Sequence, residues 1–144
     1  MLVAIEKNGI YTNFMEYDYK TAPYQHQGDV LEASWDKINW AFFMEMGTGK
    51  SKVCIDTATI LYERGEIDTS FMAPATGFRM LMMNVEALST VKGQKFLVGV
   101  LKASKALLAI DESTAIKSPK ASRTKALIKI ASLAKYRRIL TGFP

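Results

Sequence analysis

The stretch from residue 40 to residue 65 constrains the chain more than any other. A short apolar run, 40–44, leads into Glu45-Met46-Gly47-Thr48-Gly49. Residues 50–64 follow with helical spacing of apolar side chains, closed by Gly65. Strand, glycine turn and helix in this order form a frame that holds phosphate on the backbone N–H groups of a helix N-terminus. Gly47 and Gly49 allow the backbone conformations and the close approach such a loop requires. Thr48 sits between them, Lys50 is placed to reach the β- and γ-phosphates, and the Ser51 hydroxyl is placed to ligate magnesium. The full phosphate-loop pattern has a glycine where this chain has Met44. The plainer alternative is a glycine turn before a helix that happens to carry Lys-Ser.

The rest of the chain alternates strand and helix patterns. Asn8-Gly9 between two apolar runs predicts a hairpin, so that residues 1–19 form an N-terminal β-hairpin extension. Spacing predicts a helix over 24–38, short strands over 70–73 and 79–85, and a helix at 87–91 or slightly later. A strand over 106–110, a helix over 122–134 and a strand over 136–140 complete the pattern. Strands alternating with helices imply an α/β fold with a mainly parallel sheet covered on both faces, here one domain spanning 1–144. Ligands of such sheets sit beyond the carboxyl ends of the strands. Both the glycine turn and Asp111-Glu112 fall there.

Composition excludes several classes. Hydrophobic residues make up 49% and charged residues 23%, ordinary for a folded domain. No run approaches the ~20 apolar residues of a membrane span, so no membrane partner is expected. The opening run 1–5 is interrupted by Glu6 and Lys7, unlike a signal peptide. Cys54 is the single cysteine, which fits a reducing cytoplasm, and with one histidine a structural zinc site is not expected. The net charge of +5 is uneven: residues 1–112 total −3, whereas residues 113–144 carry eight basic side chains and no acidic one. Such a tract can neutralise phosphates of nucleic acid; the bland reading is a solvated helix face.

Phosphoryl transfer also needs a carboxylate for the metal and a base to orient water. Asp111, ending the run Leu107-Leu108-Ala109-Ile110, is placed for the first task, and Glu112 for the second. With the loop, these residues belong to an ordered series: Pro23-Tyr24-Gln25-His26-Gln27-Gly28, Met46 to Ser51, Phe71-Met72-Ala73-Pro74, Asn84-Val85-Glu86-Ala87-Leu88, Asp111-Glu112-Ser113-Thr114 and Leu140-Thr141-Gly142-Phe143-Pro144. The series resembles the motifs of the first RecA-like lobe of helicase superfamily two, closest to Swi/Snf-like DNA translocases of phage type, and covers roughly residues 20–144.

The resemblance implies a shortened RecA-like P-loop domain that binds ATP or ADP with magnesium. It implies Tyr24 and Gln25 near adenine, Gly47, Thr48, Gly49, Lys50 and Ser51 on the phosphates, Ser51 and Asp111 on the metal, and Lys50, Asp111 and Glu112 in catalysis. It also implies DNA as a partner and a cytoplasmic location, in a host cell if the chain is viral. The chain departs from the family in its short spacing between Pro74 and Asn84, in the Ser-Thr that follows Asp111-Glu112, and in Phe143. In the family a second lobe supplies arginine fingers, and none follows Pro144. Hydrolysis is therefore expected to be slow unless a second lobe in trans, or self-association, completes the site. The alternative is a nucleotide-binding regulatory module without turnover.

Overall fold

Burial alternates along the last strand, and that alternation divides the molecule. In β3 (Tyr136–Thr141), Tyr136, Arg138 and Leu140 are buried while Arg137, Ile139 and Thr141 are partly covered. Strand β3 lies between β1 (Asn39–Phe43) and β2 (Leu107–Ile110), parallel to both, so the sheet order is β1-β3-β2. The computed structural model describes residues 17, 19–68, 79–111 and 121–142.

One face of the sheet is covered by α1 (Gln25–Ser34) and α2 (Lys50–Glu63). Leu31, Val53, Cys54 and Ile60 of these helices pack with Phe42 and Leu140 of the strands, and Ala58 and Leu61 pack with Tyr136. The other face is covered by a 3-10 helix (Val85–Ser89), α3 (Val91–Ala103) and α4 (Ser122–Ala131). Leu88, Leu97, Leu101, Leu127 and Ile130 cluster there against Leu108 and Ile110 of β2. The result is a mixed α/β architecture in which a three-stranded parallel sheet is flanked by helices, as the strand–helix alternation requires. No described helix is long and apolar enough to cross a membrane.

Several boundaries differ from the sequence reading. Helix α1 ends at Ser34 rather than at 38, because the chain turns there through Lys37 N–H to the Ser34 carbonyl (3.2 Å). Arg138 Nη2 then takes the carbonyls of Ser34 and Trp35 at 2.9 and 3.3 Å. Helix α4 stops at Ala131, three residues early. The strand expected over 79–85 does not form, and the helix expected at 87–91 or slightly later begins at Val91 as α3, after the 3-10 helix. Apolar residues alone do not make a strand without a partner, and Met80 and Met82 are exposed. Instead Asn84 Oδ1 accepts from the Glu86 N–H (2.9 Å), and Thr90 Oγ1 accepts from the Gly93 N–H (3.0 Å), which starts two helical segments in succession. The hairpin expected within 1–19 and the strand at 70–73 lie outside the described residues, Tyr17 and Tyr19 apart.

Candidate functional site

Because all three strands are parallel, their carboxyl ends share one edge of the sheet. Three segments of interest leave from it. Residues 44–49 follow β1, Asp111 follows β2, and Gly142 follows β3. The Met44 N–H reaches the Thr141 carbonyl (3.4 Å), extending the pairing of β1 and β3 to the base of the loop. With β3 between them, the ends of β1 and β2 stand about 10 Å apart, two interstrand spacings.

The loop is shaped from within and from outside. Gly47 and Gly49 have φ of 80° and 88°, in the left-handed region where a side chain is strained. Gly49 caps α2 without a side-chain hydrogen bond, and the first turn of the helix has no acidic residue. The amides that open α2 therefore face the loop with a favourable field for an anion. Thr48 Oγ1 donates to the Glu45 carbonyl (2.7 Å). Lys50 Nζ curls back and donates to the carbonyls of Met44 (3.0 Å) and Glu45 (2.9 Å). Its ammonium thus lies over the loop, where it can exchange a carbonyl for a phosphate oxygen. Ser51 is exposed at the second position of α2, and Asp111 is exposed at the end of β2.

From outside, α1 grips the loop. Gln27 is 4% exposed, and its side-chain amide is used at both ends. The Oε1 atom accepts from the Tyr24 N–H (3.1 Å), which caps α1, while Nε2 donates to the Thr48 carbonyl (2.9 Å). His26 Nε2 contacts the same carbonyl at 3.0 Å; a carbonyl only accepts, so this nitrogen carries the hydrogen in that contact. Any Cβ at position 49 would press into the Gln27 amide. Gly49 is thus required by its conformation and by its neighbour. Tyr24 stacks on His26 (ring centroids 5.9 Å apart, planes 11° apart) and is 73% exposed, an aromatic surface beside the loop. Gln25 opens α1 and is exposed.

The structure thus brings Tyr24, Gly47, Thr48, Gly49, Lys50 and Ser51 together around one turn, with Asp111 leaving the same sheet edge. Glu112 lies outside the described residues. The sequence reading missed Gln27 and His26 as supports of the loop. Their signal was the spacing of a glutamine three residues after a helix start, but only the fold shows that the amide also reaches Thr48. Cys54, one turn into α2, is no nucleophile: burial pushes its thiol up to about 11, nearby Arg138 opposes the shift, and Asp111 adds to it. Among the described residues no three His, Cys, Asp or Glu side chains gather as a metal site. Magnesium beside a nucleotide needs only one or two protein ligands besides phosphate and water, and a hydroxyl with a carboxylate fits that demand.

Compared with family models, with curated proteins and with solved structures, the chain has no match.

Proposed function

We propose that this chain binds ATP with magnesium as a RecA-like lobe of a Swi/Snf-like, helicase-type ATPase, and that it associates with DNA. The observation that carries the reading is the loop 44–50. Two left-handed glycines, an open helix N-terminus and an inward-curled lysine are held in place by Gln27 at the carboxyl edge of a parallel sheet. The residues fit the group. The amides of 47–51 and the Lys50 ammonium would hold the phosphates, Ser51 and Asp111 would hold magnesium, and Tyr24 with Gln25 would lie against adenine. Magnesium supplies charge neutralisation on the phosphate oxygens. Glu112, next in sequence to Asp111, would orient the attacking water. Three of the chain's arginines are committed elsewhere: Arg64 lies over the Trp35 ring, Arg137 bonds Asn39, and Arg138 is buried. As the resemblance implies, turnover is expected to be slow unless a second lobe or a second copy completes the site.

The test combines binding and turnover. A fluorescent ATP analogue with magnesium should bind, and Lys50→Ala should weaken it by about 10–100-fold, the worth of one or two charge-assisted hydrogen bonds at about 1.5–3 kcal/mol. Phosphate release should rise with DNA and vanish in Glu112→Gln. Binding without Glu112-dependent release would make the chain a nucleotide-binding module instead. No binding at all would sink the reading.

A further inference from the structure

The two helices on the far side of the sheet contain no acidic residue. Helix α3 reads Val-Lys-Gly-Gln-Lys-Phe-Leu-Val-Gly-Val-Leu-Lys-Ala, and α4 reads Ser-Arg-Thr-Lys-Ala-Leu-Ile-Lys-Ile-Ala. At ~100° per residue, Lys92, Lys95 and Lys102 fall on the side of α3 opposite Leu97 and Leu101. Likewise Lys125 and Lys129 fall opposite Leu127 and Ile130 on α4. Since Leu97, Leu101, Leu127 and Ile130 share one cluster with Leu108 and Ile110 of β2, each lysine face is turned away from that cluster. All five lysines are exposed, and none forms a salt bridge to a described residue. Glu86, in the 3-10 helix, is the one acidic residue among the described parts of this layer.

Five ammonium groups on a surface with so little opposing charge repel one another. A polyanion removes that repulsion. The lysines of α3 span about 15 Å at 1.5 Å per residue, which matches roughly four phosphate steps along one strand of a duplex at about 3.4 Å of axis each. A lipid surface fits less well. The apolar sides of both helices are already used in the core, and the exposed apolar residues within the two helices, Val91, Phe96 and Ile128, are too few to insert as a face.

We propose that the outward face of α3 and α4 is a docking surface for nucleic acid, holding the phosphate backbone through Lys92, Lys95, Lys102, Lys125 and Lys129. This site is a helix layer, separate from the loop edge where nucleotide would bind. It rests on the nucleic-acid half of the reading above and not on the nucleotide half.

The test uses the full chain without nucleotide. Binding of a labelled 20-nucleotide single strand and of the matching duplex is followed by fluorescence anisotropy from 50 to 200 mM salt. Lys95→Gln/Lys129→Gln should weaken binding about tenfold and lower the slope of log K against log salt by about 1.4–1.8, two phosphate contacts' worth. Lys20→Gln/Lys37→Gln, the same charge change on the other side of the sheet, should alter binding less than about twofold. Thermal melts of both variants check folding. Equal losses in the two double variants would overturn the proposal, leaving diffuse charge only. So would tighter binding to vesicles containing phosphatidylserine than to either nucleic acid. Absence of nucleic-acid binding, with or without a salt-sensitive self-association that Lys95→Gln/Lys129→Gln abolishes, would overturn it too. The fluorescent ATP analogue, measured in parallel, shows whether the nucleotide reading survives such a failure.

Discussion

The layer of α1 and α2 and the layer of α3 and α4 cover opposite faces of the same three strands, but they are built from different chemistry. Helices α1 and α2 carry four acidic and two basic side chains, whereas the 3-10 helix, α3 and α4 together carry one acidic and six basic. The interiors differ as well. Of the buried polar residues Gln27, Ser34, Asp56, Thr57, Thr124 and Arg138, only Thr124 belongs to the far layer. Arg138, 0% exposed, points toward α1, where it donates to the carbonyls of Ser34, Trp35, Ile38 and Arg137. Burying polar groups is costly unless they are satisfied. The layer that accepts this cost is the one that holds the loop, and there the polar contacts fix geometry: Gln27 joins the start of α1 to Thr48, and Arg138 ties the end of α1 to β3. The far layer is an aliphatic cluster with lysines outside. One side is built for position, the other for packing and charge.

The largest expected effect tests this contrast in the cores. Arg138→Ala should lose about 3–5 kcal/mol in urea unfolding, from a cavity plus carbonyls left without donors. Arg138→Met restores most of the volume but none of the hydrogen bonds and should still lose about 2 kcal/mol or more, whereas Leu127→Met across the sheet should lose less than about 1.5 kcal/mol. Similar losses for the two methionine variants would erase the distinction between the layers.

A second effect lies at the junction of the 3-10 helix with α3. A side chain on Gly93 would run into the backbone carbonyl of Ala87. Gly93→Ala should therefore lose about 1–3 kcal/mol by overpacking. Binding of the ATP analogue by the folded fraction should stay within about twofold of the unsubstituted chain, because the disturbance is on the far side. A collapse of nucleotide binding in a folded Gly93→Ala protein would show that the two layers are coupled.

Gln27→Leu should cost about 1–2 kcal/mol, since the Tyr24 N–H and the Thr48 carbonyl both lose a partner. It should also weaken the ATP analogue several-fold by loosening the loop. An unchanged affinity would mean that the glycines and Lys50 hold the loop without help from α1.

The smallest effect concerns Cys54. Its thiol should resist a disulfide reagent at pH 8 in the folded protein and react at once in urea. The unfolded thiol ionises near its ordinary value of 9.0 and the folded one near 11. Above pH 9 the unfolded state therefore loses its proton first, and stability should fall as pH rises from about 9 to about 11. Fast labelling of the native protein would show that this layer opens readily.

Much of the sheet was legible from the chain. The apolar runs before the glycine turn and before Asp111, and the segment 136–140 with Tyr136, Ile139 and Leu140 around two arginines, each became a strand to within a residue or so. The helix after the loop was legible too, from Lys50 to its end near Gly65. The strand over 79–85 was misread because its apolar residues find no partner strand among the described residues. The partners of Gln27 and Arg138 lie 21 and about 100 residues away, beyond any local pattern. Arg138 looked like part of a basic tract and is buried. Lys92, Lys95 and Lys102 looked like part of an acidic segment, since the tally over 1–112 averaged them with the carboxylates of α1 and α2.

The sequence by itself determined which residue types stand in the turn between β1 and α2 and which runs were apolar enough to become strands. Those properties depend on neighbours a few positions apart, through backbone conformation and hydrophobic periodicity. Only the tertiary structure decided the order β1-β3-β2, which sets the loop and Asp111 at one edge with the width of a strand between them. It also decided that Gln27 holds the loop, that Arg138 goes inside, and that α3 and α4 pack their apolar sides into one cluster with their lysines exposed. Each of these depends on which surfaces are buried together, and burial brings together residues that the chain keeps far apart.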